Sequence, residues 1–393
     1  MSLSRRRFFA FTAGAGAIAA APQTQQPASP APGNQLDPRM GAADADKLFR
    51  YSDRHPRVSL IKGDNRRQNV FHALVAIDDQ IRPALTRKKY VILKINGLEP
   101  GRFGGTHVDC VHGILDYLAP RFKGPVVIAE VGEVTSKQAF EQYGWNTAVL
   151  EHKPMDIKLA VLNESQRYEL MTGIDFDLHL VPIRLAAQAL DPDAFLISAS
   201  VMKTHNMVVA TLSIKNVVVG AALSPPPELK RPWTDSDKRK FHVGIRQSNY
   251  NLYMAVKRMQ ANWGVGIIDG YEGMEGNGPW SGTPVPQRIA VASTDFVAAD
   301  RVGLECMGID AGWPGYLNYC YQDGLGQWDL SKIEVVGAKI AEVQRKYRLH
   351  ADVDRMLEWR GPMQDLPPNL GRNRPRQEED LSAYVRCHPG VTI

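Results

Sequence analysis

The sequence is poor in cysteine and lacks the cysteine spacing of the common metal clusters. Its four cysteines are Cys110, Cys306, Cys320 and Cys387, and no two of them form a C-x-x-C pair. This spacing excludes a zinc ribbon and a ferredoxin-type iron–sulfur motif built into the chain. Two states stay open for the thiols: one or two disulfides, which an oxidising compartment permits, or buried free thiols.

The chain also lacks a strong excess of charge of either sign. Its formal net charge is +5, and Arg5, Arg6 and Arg7 contribute part of it. Nucleic-acid binding is therefore disfavoured, because it relies on a dense basic surface. A Gly-x-Ser-x-Gly sequence is absent as well, which argues against a serine hydrolase with a nucleophile elbow.

The apolar stretch near the N-terminus is too short and too weakly apolar for a membrane-spanning helix, which needs about 20 apolar residues. It follows the sequence Ser-Arg-Arg-Arg-Phe-Phe at residues 4–9, is rich in Gly and Ala, and has no acidic residue before Asp37. This pattern predicts a twin-arginine (Tat) signal peptide over residues 1–21. We therefore expect export by the Tat translocase to the periplasm or another exported location, with no stable membrane span.

The rest of the chain is long enough for one large α/β unit. Residues 22–40, rich in Pro, Gln, Ala and Ser, predict a disordered linker. An α/β domain is predicted over residues 41–345, and a polar C-terminal extension over residues 346–393. A smaller inserted cap subdomain around residues 156–190 stays open as an alternative.

Short apolar runs alternate with helical patterns through this domain. The runs at residues 90–93, 125–129, 194–201 and 264–268 predict strands buried on both faces. Their alternation with helices predicts an α/β fold with a mostly parallel sheet and helices on both faces. The proline-rich and charged stretch at residues 224–240 predicts an exposed loop that covers a crevice.

Reactive polar residues directly follow these apolar runs. Lys94 and Asn96 follow one strand, Lys203-Thr204-His205 follows another on a predicted turn, and Asp269 opens a Gly-rich block that ends at Gly282. In open α/β sheets the ligand crevice lies outside the carboxyl ends of the strands. We therefore expect these distant segments to converge on one site.

The lysines among these residues predict a site for a small anionic ligand. Lys215 interrupts an apolar stretch and must either reach water or meet an anion. The glycines allow close approach of the backbone, whose N–H groups can hold an anion. Salt bridges from the lysines to Asp269, Asp295 or Asp300 are an equally open interpretation. The predicted residues for binding substrate or cofactor are Lys94, Asn96, Lys203, Thr204, Lys215, Asn216, Gly276 and Gly278.

Histidines and carboxylates of the same segments predict either proton transfer or metal binding. The candidate catalytic residues are His205, His242, Glu275 and Asp269, since imidazole titrates near neutral pH and carboxylates act as general acids or bases. The candidate ligands for a divalent metal are His205, His242, Glu130 and Glu272, which offer nitrogen and oxygen donors. A hydrogen-bonded loop histidine is the simpler interpretation of His205. The sequence does not identify a cofactor.

These blocks resemble an uncharacterised family, domain of unknown function 362, over roughly residues 91–308. Ile95 stands where the family usually has proline, and Arg301 replaces a small residue. Many relatives carry ferredoxin-type cysteine motifs that this chain lacks, so the resemblance implies no built-in electron path here. It implies a shared site without a settled reaction. The matching motifs are Lys94-x-Asn96, Lys203-Thr204-His205, Lys215-Asn216-x-x-x-Gly220, His242, the block from Asp269 to Gly282, and Asp295 with Asp300.

Two functional hypotheses follow. The first is an exported enzyme that binds a small anionic substrate or cofactor, with or without a metal. It would carry out acid/base chemistry of the isomerase or lyase type, or a redox step with an external partner. The second is a non-catalytic periplasmic protein that binds a ligand or a metal, and turnover discriminates the two.

Overall fold

The computed structural model describes residues 52–98, 103–131, 137–224 and 236–360. The predicted signal peptide and linker therefore lie outside the described residues. Residues 361–393 of the predicted C-terminal extension and residues 225–235 of the predicted loop also lie outside them.

The strands of the described chain form one large sheet and one separate hairpin. The large sheet has the order β11-β1-β10-β9-β7-β2-β3-β4, with β8 paired to β7, and β5 and β6 form a two-stranded sheet. The strands are β1 (Arg57–Lys62), β2 (Tyr90–Ile95), β3 (Val126–Glu130), β4 (Ile157–Val161), β5 (Tyr168–Ile174), β6 (Leu180–Ala186), β7 (Ala194–His205), β8 (Val209–Thr211), β9 (Trp263–Asn277), β10 (Ser281–Ser293) and β11 (Glu334–Gly337).

Helices connect most of these strands. Within the described ranges they are α1 (Arg66–Val75), α2 (Asp78–Leu85), α3 (Val108–Leu118), α4 (Lys137–Gln142), α5 (Trp145–Glu151), α6 (Ser213–Val219), α7 (Ile245–Met259), α8 (Phe296–Cys306), α9 (Gly315–Gln322), α10 (Ile340–Val343) and α11 (Val353–Met356). Short 3-10 turns occupy Leu162–Ser165, Ala187–Leu190, Asp237–Phe241, Gln260–Asn262, Leu330–Lys332 and Glu358–Arg360.

The centre of the large sheet is parallel. β3 pairs in parallel with β4 and β2, β2 with β7, and β7 with β9. β10 runs antiparallel to β9 and β1, and β11 closes that edge in parallel with β1. This sheet, covered by helices, confirms the predicted α/β fold.

Each central strand contributes to two hydrophobic cores. Leu196 and Ile268 pack in a core with residues of α6, α7 and α8. Their neighbours Ile197 and Ile267 pack in a second core with residues of α1 and α3. Successive side chains of a strand point to opposite faces, so an unbroken apolar run serves both layers. This is why the predicted buried strands appear as continuous apolar runs.

The hairpin of β5 and β6 lies within residues 156–190, whereas β4 of the same stretch belongs to the large sheet, and an inserted subdomain here stays a prediction. Met171 and Ile183 bury one face of the hairpin in the first core. The Asn251 side chain, from α7, accepts a hydrogen bond from the Ile174 N–H and donates one to the Ile174 carbonyl. The hairpin is therefore tied to the main body by both apolar and polar contacts.

Two strands extend further than the sequence predicts. β7 continues through the Lys203-Thr204-His205 motif because β8 folds back and pairs with it, with Lys203 opposite Thr211. β9 continues to Asn277 because β10 pairs with it along the Gly-rich block, with Gly276 opposite Gly282. The prediction of a turn at these motifs is wrong, and their polar side chains project from strands.

The charged segment after residue 235 is also buried where exposure is predicted. Asp237, Lys238 and Arg239 are at most 8% exposed. Asp237 anchors them, because its carboxylate accepts hydrogen bonds from the Arg184 backbone N–H at 2.7 Å and from its guanidinium at 2.8 Å. Neutralisation by Arg184 explains how the Asp237 carboxylate enters the interior.

Candidate functional site

Lys203 is the most deeply buried ammonium of the candidate site, at 2% exposure. It projects from the end of β7 and donates to the Asn96 Oδ1 at 2.8 Å and to the Gly104 carbonyl at 2.9 Å. Burial lowers the pKa of Lys203 to about 7, helped by the charge of Lys94 and opposed by that of Glu130. This lysine therefore changes charge near neutral pH.

Lys94, on β2, is paired with the predicted metal ligand Glu130. The Lys94 Nζ lies 3.0 Å from both carboxylate oxygens of Glu130, at the end of the neighbouring strand β3. The Gly97 and Val131 N–H groups donate to the same carboxylate. Burial lowers the pKa of Lys94, and Glu130 opposes the shift. Glu130 therefore supplies the counter-charge of the Lys94 ammonium within the protein.

Two asparagines connect the lysines to the neighbouring elements. The Asn96 Nδ2 donates to the Asn216 Oδ1 at 3.2 Å. The Asn216 Nδ2 donates to the Lys94 carbonyl at 3.1 Å and to the Ser198 Oγ at 3.0 Å. Four predicted site residues, Lys94, Asn96, Lys203 and Asn216, therefore meet in one hydrogen-bonded cluster at the carboxyl ends of β2 and β7.

Thr106 holds the turn that follows β2 against β7. Its hydroxyl donates to the Ala199 carbonyl at 2.6 Å and accepts from the Asn96 N–H at 2.7 Å. The helix α3 begins at Val108, two residues after Thr106, and the His107 side chain is its cap. Thr106 instead fixes the backbone that carries Asn96.

Lys215 and Asn216 lie in the first half of α6 rather than in a loop. Lys215 is 6% exposed, and its charge lowers the pKa of both His205 and His242. The imidazoles are therefore close to Lys215. Lys215 therefore lies on the side of the site that holds His205 and His242.

His205 and His242 form a pair with ring centroids 5.6 Å apart. The His205 Nδ1 accepts a hydrogen bond from the Met207 N–H, so the proton of the neutral ring is on Nε2. The His242 Nδ1 faces the Lys238 carbonyl at 2.8 Å and must donate to it, which leaves Nε2 of that neutral ring as an acceptor. One ring thus offers a donor and the other an acceptor.

Both imidazoles are held neutral. Burial, followed by the charges of Lys215 and His242, lowers the pKa of His205 well below its ordinary value. Burial and Lys215 lower the pKa of His242 to about 3. A negative ligand beside Lys215 would oppose these shifts, because it would cancel the positive field.

Thr204 and the predicted anion-binding glycines contact each other. The Thr204 hydroxyl donates to the Gly276 carbonyl at 2.8 Å. The Gly276 N–H donates to the Arg348 carbonyl, and the Gly278 N–H donates to the Gly276 carbonyl. A Cβ at Gly278 would lie 2.2 Å from the Thr204 carbonyl oxygen. The glycines therefore bring the β9–β10 hairpin against β7, and their N–H groups are engaged within the protein.

The remaining predicted carboxylates have arginine or histidine neighbours. Asp269 pairs with Arg66 of α1 at 3.2 Å, and burial raises its pKa while Arg66 opposes the shift. Glu275 accepts from the Arg348 N–H at 2.8 Å. Burial lowers the pKa of His107, and Glu272 lies near enough to oppose that shift. None of these three carboxylates is hydrogen-bonded to the lysine cluster in the described part of the chain.

The predicted metal ligands do not assemble into a coordination set. Across residues 52–98, 103–131, 137–224 and 236–360, no three His, Cys, Asp or Glu side chains are grouped so as to hold a metal ion. His205 and His242 are adjacent, but Glu130 is bound to Lys94 and Glu272 lies near His107. Metal ligation by these residues stays a prediction.

Three further residues belong to this environment, although no sequence pattern predicts them. Lys238 is 8% exposed, and its charge lowers the pKa of Lys94 and His242. His350, from the segment after α10, lowers the pKa of His205. Ser198, on β7, bonds to Asn216. Their sequence surroundings are an ordinary charged run, a polar tail and an apolar strand, which give no signal of a site.

The cysteines and the main described cavity lie apart from this cluster. Cys110, Cys306 and Cys320 are buried free thiols. A cavity of about 590 Å³ is lined by Arg301, Trp328 and neighbouring residues, and none of the predicted site residues lines it. The helices in the described ranges are too short or too polar to cross a membrane.

Comparison with known proteins places the site within a family. The model of the family described as Domain of unknown function (DUF362) matches residues 91–305, more than half of the chain. No curated protein matches the sequence.

Solved structures offer distant similarity. The lactate racemase apoprotein from Thermoanaerobacterium thermosaccharolyticum is 15% identical, with a TM-score of 0.34, over 57% of this chain and 51% of that one. A structural-genomics protein from Thermotoga maritima is 12% identical, with a TM-score of 0.36, over 57% of this chain and 55% of that one. The chain thus spans about half the length of these structures, and similarity this low implies nothing about substrate.

Proposed function

The chain belongs to the domain of unknown function 362 family, and from its buried lysine cluster we propose that it is an exported enzyme acting on a small anionic substrate or cofactor. The reaction class is proton transfer or a redox step with an external partner. The twin-arginine pattern of residues 4–9 supports export.

The observation that carries this proposal is the environment of Lys203. Its hydrogen-bond partners in the described chain, Asn96 and Gly104, are both neutral oxygens. An ammonium has three donors, so one remains for a ligand. Placing a charge in the interior costs several kcal/mol unless an anion accompanies it. A carboxylate or phosphate bound beside Lys203 would supply that anion.

The neighbouring charges favour an anion over a neutral ligand. Glu130 neutralises Lys94, and the charges of Lys215 and Lys238 lower the pKa of His242. The low dielectric of this buried environment strengthens attraction for a negative group. The ligand would therefore lie between Lys203 and the histidine pair.

The tautomers of the two histidines support proton transfer. His205 presents an Nε2–H donor and His242 an Nε2 acceptor. A bound anion would raise the pKa of His242 from about 3, which would make it a better base in the complex than in the free protein. We assign proton transfer to these two residues before Asp269 and Glu275, whose carboxylates face arginines.

Isothermal titration calorimetry with oxalate and sulfate as probes tests the anion site. The Lys203→Met variant should weaken binding at least about tenfold, because methionine has nearly the length of lysine but no charged donor. Lys123→Met, which removes an exposed lysine, should leave affinity unchanged. Unchanged affinity in the Lys203 variant would refute the anion site.

Native and denatured mass spectrometry of the exported protein tests the cofactor part of the proposal. A non-covalent small molecule appears as a mass that denaturation removes. Elemental analysis of the wild-type protein, His205→Ala and His242→Ala tests metal binding by the imidazoles. Equal metal content in all three would remove both residues as ligands.

A non-catalytic binding protein is the second candidate. It is favoured by the engagement of the Gly276 and Gly278 N–H groups and of two predicted catalytic carboxylates within the protein. Two results together would establish the non-catalytic function. His242→Gln would change only the affinity for the probes, and the wild-type protein would not convert the molecule found by mass spectrometry.

A further inference from the structure

Asp300 is a fully buried carboxylate that caps a helix distant from it in sequence. From α8 it accepts hydrogen bonds from the Ser213 N–H at 2.8 Å, the Ser213 hydroxyl at 2.5 Å and the Ile214 N–H at 3.2 Å. The local cap residue of α6, Leu212, offers no side-chain bond. Asp300 therefore replaces the missing cap of the helix that carries Lys215 and Asn216.

A row of buried hydrogen bonds connects this capped helix to Lys203. Lys203 donates to Asn96, Asn96 donates to Asn216, and Asn216 donates to the Ser198 hydroxyl. The Ser198 hydroxyl donates to the carbonyl of Ser213 at 2.8 Å. Ser213 is also the residue whose N–H and hydroxyl bind Asp300. Every donor in the row points away from Lys203 and toward Asp300.

The orientations of the Asn96 and Asn216 amides, which set the direction of these hydrogen bonds, are both fixed. An ammonium can only donate, so the oxygen of Asn96 must face Lys203 and its nitrogen must face Asn216. A backbone carbonyl can only accept, so the nitrogen of Asn216 must face the Lys94 carbonyl. Hydrogen bonds aligned in one direction polarise each other. A negative charge at the far end therefore stabilises positive charge at Lys203.

We propose that Asp300 is a positioning residue of the anion site, which through Ser213, Ser198 and the two asparagines holds Lys203 in its charged, ligand-binding form. The inference rests on the proposed function, because it explains how the same site is prepared. It adds that the carboxylate that prepares the site belongs to α8 and lies at the N-terminus of α6.

The charged groups that face each end define the pH response. Lys203 is faced by Glu130, which favours its charged form, and by Lys94, which opposes it. Asp300 is faced by Tyr316 and Cys320. Burial raises the pKa of Asp300 to about 7, against the hydrogen bonds from Ser213 and Ile214. Both ends of the row thus change charge in the same pH range, and loss of the Asp300 charge releases the Lys203 proton more easily.

Nuclear magnetic resonance of full-length protein with ¹³C-labelled lysine measures the charge of Lys203 directly. The signal is assigned by its loss in Lys203→Met. Asp300→Asn keeps the shape of the side chain and one of its two acceptor oxygens but removes the charge, and should lower the titration midpoint of Lys203 by about half a pH unit or more. The control is Asp295→Asn on the same helix. Asp295 is buried and caps α8 itself, and its removal should leave the midpoint unchanged.

Ser198→Ala separates the hydrogen-bonded row from a simple effect of charge. It breaks the row while Asp300 stays ionised, and should lower the midpoint as Asp300→Asn does. The double variant should show no further shift, because both changes interrupt one pathway. Additive shifts, or equal shifts in the Asp300 and Asp295 variants, would overturn the inference.

The two proposals fail in different ways. If Asp300→Asn moves the Lys203 midpoint but oxalate and sulfate do not bind the wild-type protein, the anion site is wrong and the positioning role stands. If the probes bind and only the midpoint fails to move, the positioning role is wrong and the anion site stands. A variant that does not fold is replaced by Ser198→Ala, which reports on the same row.

Discussion

The ammonium of Lys94 lies 3.0 Å from each carboxylate oxygen of Glu130, so this buried lysine is already neutralised inside the protein. The pair sits between β2 and β3, at the same end of the sheet as Lys203. Its role differs from that of Lys203, whose bonds go to neutral oxygens.

Glu130→Gln should therefore destabilise the protein strongly. The variant leaves a buried ammonium without its counter-charge, and breaking a buried pair costs about 3–5 kcal/mol. The free energy of unfolding in urea measures this cost.

The matched control is Glu334→Gln, which breaks the exposed pair with Arg57 and should cost less than about 1 kcal/mol. Adding Lys94→Met to Glu130→Gln should restore part of the stability. Equal losses in the Glu130 and Glu334 variants would contradict the assignment of a buried pair.

Sulfate affinity should fall as the pH rises through about 7, where the pKa of Lys203 lies. A lysine whose pKa is lowered is charged below that value and neutral above it, so the anion site is complete only on the acid side. Above the midpoint the affinity should fall about tenfold per pH unit. Sulfate suits the experiment because its own charge is constant in this range. An affinity that is flat between about pH 6 and pH 9 would exclude Lys203 as the titrating group.

Gly278→Ala should destabilise the contact between β7 and the β9–β10 hairpin. The added Cβ would lie 2.2 Å from the Thr204 carbonyl oxygen, a backbone atom that cannot rotate away. We expect a loss of more than about 2 kcal/mol in urea unfolding. Ser281→Ala, at an exposed position of the same hairpin, should change stability by less than about 0.5 kcal/mol. A tolerated alanine at 278 would show that the hairpin can move off Thr204.

Substitution of Arg5 and Arg6 by lysine should prevent export. The twin-arginine machinery reads the arginine pair, whereas Arg7 is the variable residue between the pair and Phe8. Cell fractionation should find the double variant in the cytoplasm and Arg7→Lys outside it. Normal export of the double variant would exclude the predicted pathway.

Much of the fold follows from the sequence because the central strands are continuous apolar runs. β3 spans Val126–Glu130, close to the predicted run at residues 125–129, and the α/β fold is confirmed. The ends of β7 and β9 could not be predicted, because β8 and β10 determine them by pairing over distances that local patterns do not report. Tertiary pairing here overrides the turn tendency of glycine-rich sequence.

The site was partly predictable for the same reason. The rule that polar residues gather at the carboxyl ends of parallel strands brings Lys94, Asn96 and Lys203 together. The rule does not predict which carboxylate pairs with which cation. Asp269, for example, pairs with Arg66 of α1, a helix of the second hydrophobic core. Lys238 is buried next to Asp237, whose ion pair with Arg184 joins residues 53 positions apart that no spacing along the chain reveals.

The order of strands at one edge of the sheet limits how this protein can be shortened. β1 and β11 lie outside the residues that match the family, yet β1 pairs with β10, which lies inside them. A fragment cut to residues 91–305 would leave β10 with an unpaired row of backbone donors and acceptors, the usual starting point for aggregation. The family's shared stretch is thus a recognisable sequence unit but an incomplete folding unit, and expression trials should retain the flanking strands.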